Sequence, residues 1–549
     1  MTATVGEFLY QCLQREGMTE IFGVPGDFNF PLLDTLEAYE GLRFIDNRNE
    51  LNAGYAADGY AHVKGMAALI TTFGVGELSA SNAIAGAYSE NIPLIHIVGS
   101  PDSNDQKEKR KIHHSLMDGD FEVFRRIHEH MTGYAVKITA ENAGFKIPKA
   151  IRIAKEKKKP VYLDFPMDQV LQPVIWRGEE EESAEVTEEA SLHAALAQAK
   201  ELLDQAKHTV LLVDFNTLRY DLEHHVQTLA EKMNVPVAQM LQGKSGFDEE
   251  HPQYIGMYAG AFGNQEVRVK VEEADCIIAV GLLWTDFNTA KYTANIAPEK
   301  LIAVHPRSVA VAEREYEKID AVDGLKALQA LDYRENGKVE TFPSIYDDVV
   351  GEPEERLSAA TYYPRFQHML KQDDVMIIDT GTLSYGMSQV RLPSGALFIS
   401  HGAWQSIGYA TPAALGAAIA ADNRRVLLFI GEGALQFSVQ ELSTLIENGC
   451  KPIIFILNNQ GYTIERYLNI EHPFADYNDI PRWDHMTLAE GFAGTGDLFK
   501  TEVRTNGELD EAIRRAEQYD GMSLIELIVT DPMDAPEYLH KLRENEMEA

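Results

Sequence analysis

Several things are scarce in this sequence at once. It has three cysteines in 549 residues, Cys12, Cys276 and Cys450, far apart and without CxxC spacing. That excludes a disulfide framework or a zinc ribbon and casts all three as core thiols. No apolar run approaches the about 18 residues that a membrane-spanning helix requires. The start, MTATVGEFLYQCLQREG, lacks a basic leader and reads as an amphipathic helix with Phe8, Leu9, Cys12 and Leu13 inward. A cytoplasmic protein without membrane partners is expected. Positive charge is also short, 49 Lys and Arg against 85 Asp and Glu for a formal charge of -36. With no basic stripe to release counterions, nucleic acid is not a partner. The one basic run, KEKKKP at 155–160, suits the negative end of a helix dipole. No GxGxxG opens a helix after a strand, which argues against a nicotinamide oxidoreductase.

What is present is alternation. Short β-rich runs, EIFGV (20–24), AALITTF (67–73), PLIHIVG (93–99) and PVYLDF (160–165), are separated by longer helical patterns, the signature of parallel strands with crossover helices. The pattern returns at HTVLLVDF (208–215), ADCIIAVGLLW (274–284) and KLIAVHP (300–306). It returns again at DVMIIDTG (374–381), RRVLLFIGEG (424–433), KPIIFILNN (451–459) and MSLIELIV (522–529). An acidic stretch without aromatics at 178–191 and a Pro/Gly-containing stretch at 341–357 interrupt it. An α/β chain of three doubly wound parallel-sheet domains, 1–178, 190–342 and 356–549, is expected, since 549 residues exceed one core.

Ligands in open α/β sheets sit beyond the carboxyl ends of strands. In FIGEGALQFSVQELSTLIENGCKPIIFILNNQGYTIE, 429–465, Glu432 follows one strand and Asn459 ends the next within one βαβ unit. Neighbouring strands would bring them together as the hard oxygen ligands Mg²⁺ takes, completed by phosphate oxygens. The helix after Gly433 would aim N–H groups at the same place. Turn and cap chemistry accounts for each residue type separately as well.

The chain resembles the thiamin-diphosphate-dependent 2-keto acid decarboxylases over nearly its whole length. FGVPGDFN (22–29), NELNAGYAADGYA (49–61), TTFGVGELSA (71–80), His113–His114, WQSIGYATPAALG (404–416) and GEG followed by NNQGYTIE carry the resemblance. It implies three domains, pyrimidine-binding, central and diphosphate-binding, in a homodimer or homotetramer whose active site is shared between subunits. It also implies thiamin diphosphate and Mg²⁺ as cofactors, and conversion of a 2-keto acid to an aldehyde and CO₂ through a ylide and an enamine. Glu50 would touch N1′ of the pyrimidine, and Asp27, His113, His114 and Glu465 would form the acid–base set. Adjacent histidines diverge on a helix or strand, so this pair belongs on a loop. Metal contacts fall to Glu432, Asn459 and the Gly461 carbonyl. Cofactor contacts fall to Glu50, Thr382, Gln405, Ile407, Gly431, Gly433, Ala434, Asn459 and Gly461, with Ile407 imposing the V shape.

Two positions depart from the family pattern: Glu432 replaces an aspartate, and Gln405 stands where relatives often have glycine. The substrate pocket would be lined by Thr380, Ser384, Ile464, Leu468 and Leu542. Ser384, where pyruvate-selective relatives tend to carry an aromatic, points to branched, longer or aromatic 2-keto acids. An acyloin-forming carboligase and a non-catalytic relative of the fold are the alternatives.

Overall fold

A computed structural model describes residues 3–175, 186–494 and 496–548. The acidic segment expected to divide the first two domains lies mostly at 176–185, outside the described residues. Three sheets follow one another along the chain. The first comprises β1 (Glu20–Gly23), β2 (Arg43–Asp46), β3 (Ala67–Thr72), β4 (Leu94–Ser100), β5 (Tyr134–Lys137) and β6 (Val161–Pro166), in the order β2-β1-β3-β4-β6-β5 and all parallel.

The second sheet comprises β7 (Thr209–Val213), β8 (Val237–Gln239), β9 (Tyr254–Met257), β10 (Cys276–Val280), β11 (Leu301–His305), β12 (Ser308–Val311) and β13 (Arg314–Glu317), ordered β13-β12-β11-β10-β7-β8-β9. It is not wholly parallel. β12 and β13 return antiparallel, because the links 306–307 and 312–313 are too short for anything but hairpins. The third comprises β14 (Val375–Ile378), β15 (Leu397–Ser400), β16 (Val426–Gly431), β17 (Ile453–Asn458), β18 (Phe499–Val503) and β19 (Ser523–Ile528), ordered β15-β14-β16-β17-β19-β18. Numbered within its own unit, this is the order of the first sheet. In both, the order reverses between the first and third strands, which opens a crevice at their carboxyl ends.

Local sequence explains the helices that matter. Thr4 and Glu7 form a capping box ahead of helix Val5–Arg15, whose Phe8, Leu9, Cys12 and Leu13 are buried. Asn49 caps helix Glu50–Lys64 through the Asn52 N–H. The basic run forms the last turn of helix Ala143–Lys157. Cys12 and Cys276 are buried, whereas Cys450 is partly exposed at the edge of the core shared by the first and third units.

That core is continuous from Phe22 to Leu524 because helix Glu50–Lys64 packs directly on helix Ala410–Ala420. Their contact uses alanines and glycines only where backbones touch. A side chain at Gly59 would overlap the Ala413 carbonyl, and one at Gly416 would overlap the Ala56 carbonyl. Gly416→Ala should therefore lower the thermal midpoint, costing about 3 kcal/mol or more by overpacking against rigid backbone. An unchanged unfolding curve would show that the helices separate freely.

Candidate active site

The third sheet's crevice opens into a cavity of about 300 Å³. Because β14, β16 and β17 are adjacent and in register, the segments that follow them converge there. Thr380 and Thr382 come from the end of β14, and Gly431, Glu432, Gly433 and Ala434 from β16. Asn459, Gly461, Ile464 and Glu465 follow β17, and Ile407 enters from the 401–410 loop. Glu432 is 4% exposed, and Gly461 N–H donates to its Oε1 at 3.0 Å. Burial pushes its pKa up to about 7, against backbone N–H groups from Gly461, Glu432 and Gln460 that favour the charge.

The 401–410 loop is held from two sides. Buried Asp379, at the end of β14, accepts N–H groups from Gly408 (3.2 Å) and Ala410 (2.8 Å), and burial raises its pKa to about 7. Glu90, at the end of a first-unit helix, accepts from Ala403 (2.6 Å) and Trp404 (2.9 Å). Trp404 Nε1 donates to Asn82 at 2.8 Å, and Ser406 pairs with Tyr55 at 2.6 Å. Gln405 sits at φ 54 and its side chain donates to the Gly402 carbonyl. Left-handed backbone costs a non-glycine residue about 1–2 kcal/mol, so glycine is the unstrained choice at this position.

A second cluster lies on the first unit. His113 Nε2 is 2.6 Å from Asp27 Oδ2, and His114 Nε2 is 3.8 Å from Asp27 Oδ1. The histidines occupy a loop, with His114 at φ 64. The His114 carbonyl packs against Gly74, where a Cβ would overlap it. Gly74 N–H in turn donates to buried Glu77 at 2.7 Å, and Tyr162 donates to the other Glu77 oxygen at 2.8 Å. Glu50 begins its helix beside Gly76; a Cβ there would stand 3.2 Å from Glu50 Oε1. The turn before it is gripped by fully buried Glu441 of the third unit, which accepts from Arg48 N–H (2.9 Å), Asn47 (3.3 Å) and Asn52 (3.2 Å).

The cavity is lined by residues 380–465 alone, so within one chain Asp27, His113, His114 and Glu50 stand apart from it. Ser384 donates to the Gly381 carbonyl at 2.8 Å and lines a neighbouring cavity of about 30 Å³ with Phe287, Arg219 and Glu90. Leu468 is exposed, and Leu542 is buried among Tyr467, Leu539 and Tyr538, with Ile464 packed on that cluster. Asp379, Glu90, Glu77 and Glu441 escape a sequence reading. Asp379 carried one signal, a carboxylate ending an apolar strand, and Glu77 another, an acid three residues after Gly74.

Comparison with known proteins places the chain in a family. The thiamine pyrophosphate enzyme N-terminal TPP binding domain matches residues 3–122, the central domain 196–331, and the C-terminal TPP binding domain 379–527. An alpha-keto-acid decarboxylase of Mycobacterium leprae is 38% identical, covering 98% of this chain and 95% of its own. A pyruvate decarboxylase of Aspergillus fumigatus is 37% identical (97% and 95% covered), and pyruvate decarboxylase isozyme 1 of Saccharomyces cerevisiae 36% (98% and 97%). The chain belongs to the thiamin-diphosphate-dependent 2-keto acid decarboxylases.

The cavity suits this decarboxylase's cofactor. Thr380 Oγ1 is buried without a hydrogen-bond partner, and a Cβ at Gly381 or Gly431 would meet nothing within 4 Å. Neither helix Thr382–Ser388 nor helix Glu432–Ser438 has a side-chain cap, which leaves first-turn N–H groups for an anion. A buried carboxylate beside a buried carboxamide suits an oxygen-ligated dication. Among the described residues no helix is long and apolar enough to cross a membrane.

Glu77 gives the decarboxylase fold a pH signature. Burial raises its pKa from 4.5 to about 8, partly offset by the Gly74 N–H and Tyr162. Between those values the folded chain holds a proton that the unfolded chain has released. Stability from this group is therefore complete below pH 4.5 and lost as pH rises through 8. Glu77→Gln should lower the thermal midpoint less at pH 8 than at pH 5; an equal loss at both would assign the carboxyl an ordinary pKa.

Proposed function

We propose that the chain decarboxylates branched, longer aliphatic or aromatic 2-keto acids in preference to pyruvate. Its site would be completed by a second copy of the chain. The observation that carries the site assignment is the pairing of buried Glu432 with Asn459 across adjacent strand ends over an open cavity. Glu432, Asn459 and the Gly461 carbonyl would hold Mg²⁺. The open positions at Gly381 and Gly431 and the hydroxyls of Thr380 and Thr382 would surround the diphosphate, with Gly433 packed against Tyr462 beside them. Ile407, which lines the cavity, would pack against the cofactor, with the Gln405 turn beside it. When bound, thiamin diphosphate supplies the carbanion-stabilising chemistry that loss of CO₂ requires.

Glu50 would share a proton with the pyrimidine N1′ of the bound cofactor, and Glu441 keeps the turn bearing Glu50 in place. Asp27, His113, His114 and Glu465 receive the substrate carboxylate and return a proton before aldehyde release. Glu465 lies in the cavity while the other three lie on the first unit, so one chain alone does not bring the set together. Uncovered apolar side chains support closure by a second copy. Phe437 (58% exposed) lines the cavity, Phe474 (63%) and Tyr477 (69%) follow its Glu465 helix, and Val75 (53%) begins the helix beside Glu50. A homodimer, alone or paired into a tetramer, would satisfy both halves.

The deciding measurement is CO₂ and aldehyde formation from a panel of 2-keto acids, with thiamin diphosphate and Mg²⁺ supplied or removed. Turnover should vanish without either cofactor. In Glu50→Gln it should fall at least about a hundredfold while the thermal midpoint is kept. Acyloin without free aldehyde would identify a carboligase, and no thiamin-dependent product would identify a non-catalytic relative.

The substrate preference rests on the absence of a ring at Ser384, whose side chain lines a small cavity of about 30 Å³ beside Phe287, apart from the cofactor cavity. Each further methylene that a longer substrate buries contributes about 0.8 kcal/mol, so two or more extra carbons change kcat/KM by more than about tenfold. Ser384→Phe should move the chain-length optimum toward pyruvate. An unchanged profile at equal stability would remove Ser384 from the specificity determinants.

A further inference from the structure

The first unit places two adjacent imidazoles and a carboxylate closer together than regular backbone permits. The left-handed turn at His114 swings its ring beside that of His113, with centroids 4.6 Å apart at 71°. Phe28 fixes both, stacked on His113 at 5.0 Å and edge-on to His114 at 5.9 Å. With Asp27, one ligand atom from each side chain lies within 4.8 Å of the others, the one such group of three among the described residues.

We propose that Asp27, His113 and His114 form a two-histidine, one-carboxylate site for a transition-metal dication of the zinc class, distinct from the oxygen site around Glu432. Neutral imidazole nitrogen and carboxylate oxygen take Zn²⁺ at about 2.0–2.2 Å, whereas Mg²⁺ keeps its waters and prefers oxygen ligands. At tetrahedral angles such bonds separate neighbouring ligand atoms by about 3.3 Å. Asp27 and His113 must open from 2.6 Å, and Asp27 and His114 must close from 3.8 Å. His113 is 59% exposed, so side-chain rotation suffices and water completes the coordination. The metal replaces the proton that His113 and Asp27 share. The two metal sites of the chain then differ in hardness, and excess Mg²⁺ does not empty the softer one. If this cluster is also the proton-transfer set, a consequence that rests on the functional reading above, Zn²⁺ arrests turnover without displacing thiamin diphosphate.

The test is Zn²⁺ titration of the full chain, saturated with thiamin diphosphate and Mg²⁺, in competition with a chromophoric zinc chelator. Co²⁺ absorption in the visible reports the nitrogen ligands. One equivalent per chain is expected. His113→Ala and His114→Ala should weaken it by at least about tenfold, as should the size-conserving His113→Gln, while Glu432→Gln retains it. No uptake by the parent chain, or uptake indifferent to all three histidine variants, overturns the site. Loss in Glu432→Gln alone places the metal in the oxygen site and overturns it equally. Zn²⁺ bound at the cluster with turnover intact sustains the metal site and removes these residues from proton transfer.

Discussion

The joining of the first and third units rests on the close approach of two helices, Glu50–Lys64 from the first unit and Ala410–Ala420 from the third. At Gly59 and Gly416 the opposing carbonyls occupy the space a side chain would need, so the axes are fixed by backbone contact rather than by adjustable side chains. The first of these helices starts at Glu50, and the second follows directly on the loop that carries Gln405 and Ile407. One contact therefore fixes where Glu50 lies relative to the loop that carries Gln405 and Ile407. It also merges two α/β units of identical strand order into one core.

Around that contact the molecule buries carboxylates repeatedly: Glu77, Glu90, Asp379, Glu432 and Glu441 are all almost inaccessible. Burying a charge is costly unless it is paired or hydrogen-bonded, and here the compensation comes largely from backbone N–H groups of loops. Gly74, Ala403, Trp404, Gly408, Ala410, Arg48 and Gly461 each donate to one of the five. A loop so tied cannot rotate a peptide without stranding a buried carboxyl group. This is how segments without regular structure hold left-handed residues such as Gln405, Gln460 and His114 in place.

The strands legible in the sequence are those covered on both faces. β3, β4 and β6 in the first sheet, β7, β10 and β11 in the second, and β14, β16, β17 and β19 in the third read as mostly apolar runs because both sides of each strand are packed. β2, β5, β15 and β18 at the edges of the parallel sheets, and β8, β9, β12 and β13 on the flanks of the second, are short or half polar. They give no run to detect. The hairpins of the second sheet were invisible for the same reason, and with them its departure from a wholly parallel arrangement.

The sequence by itself determined the class of fold, the alternation of strand and helix, and the placing of chemical groups just after strand ends. These follow from hydrophobic period and from local turn and cap chemistry, which act over a few residues. Only the tertiary structure decided that Glu432, Asn459 and Thr380 share a cavity while Asp27, His113 and His114 form a separate cluster on another unit. It alone turned Ser384 toward the central unit and buried Leu542 beneath Ile464. Those outcomes depend on which strands lie side by side and how closely two helices approach. Both are set by contacts between residues hundreds of positions apart, such as Gly59 with Ala413 and Asn47 with Glu441, and no local pattern encodes them.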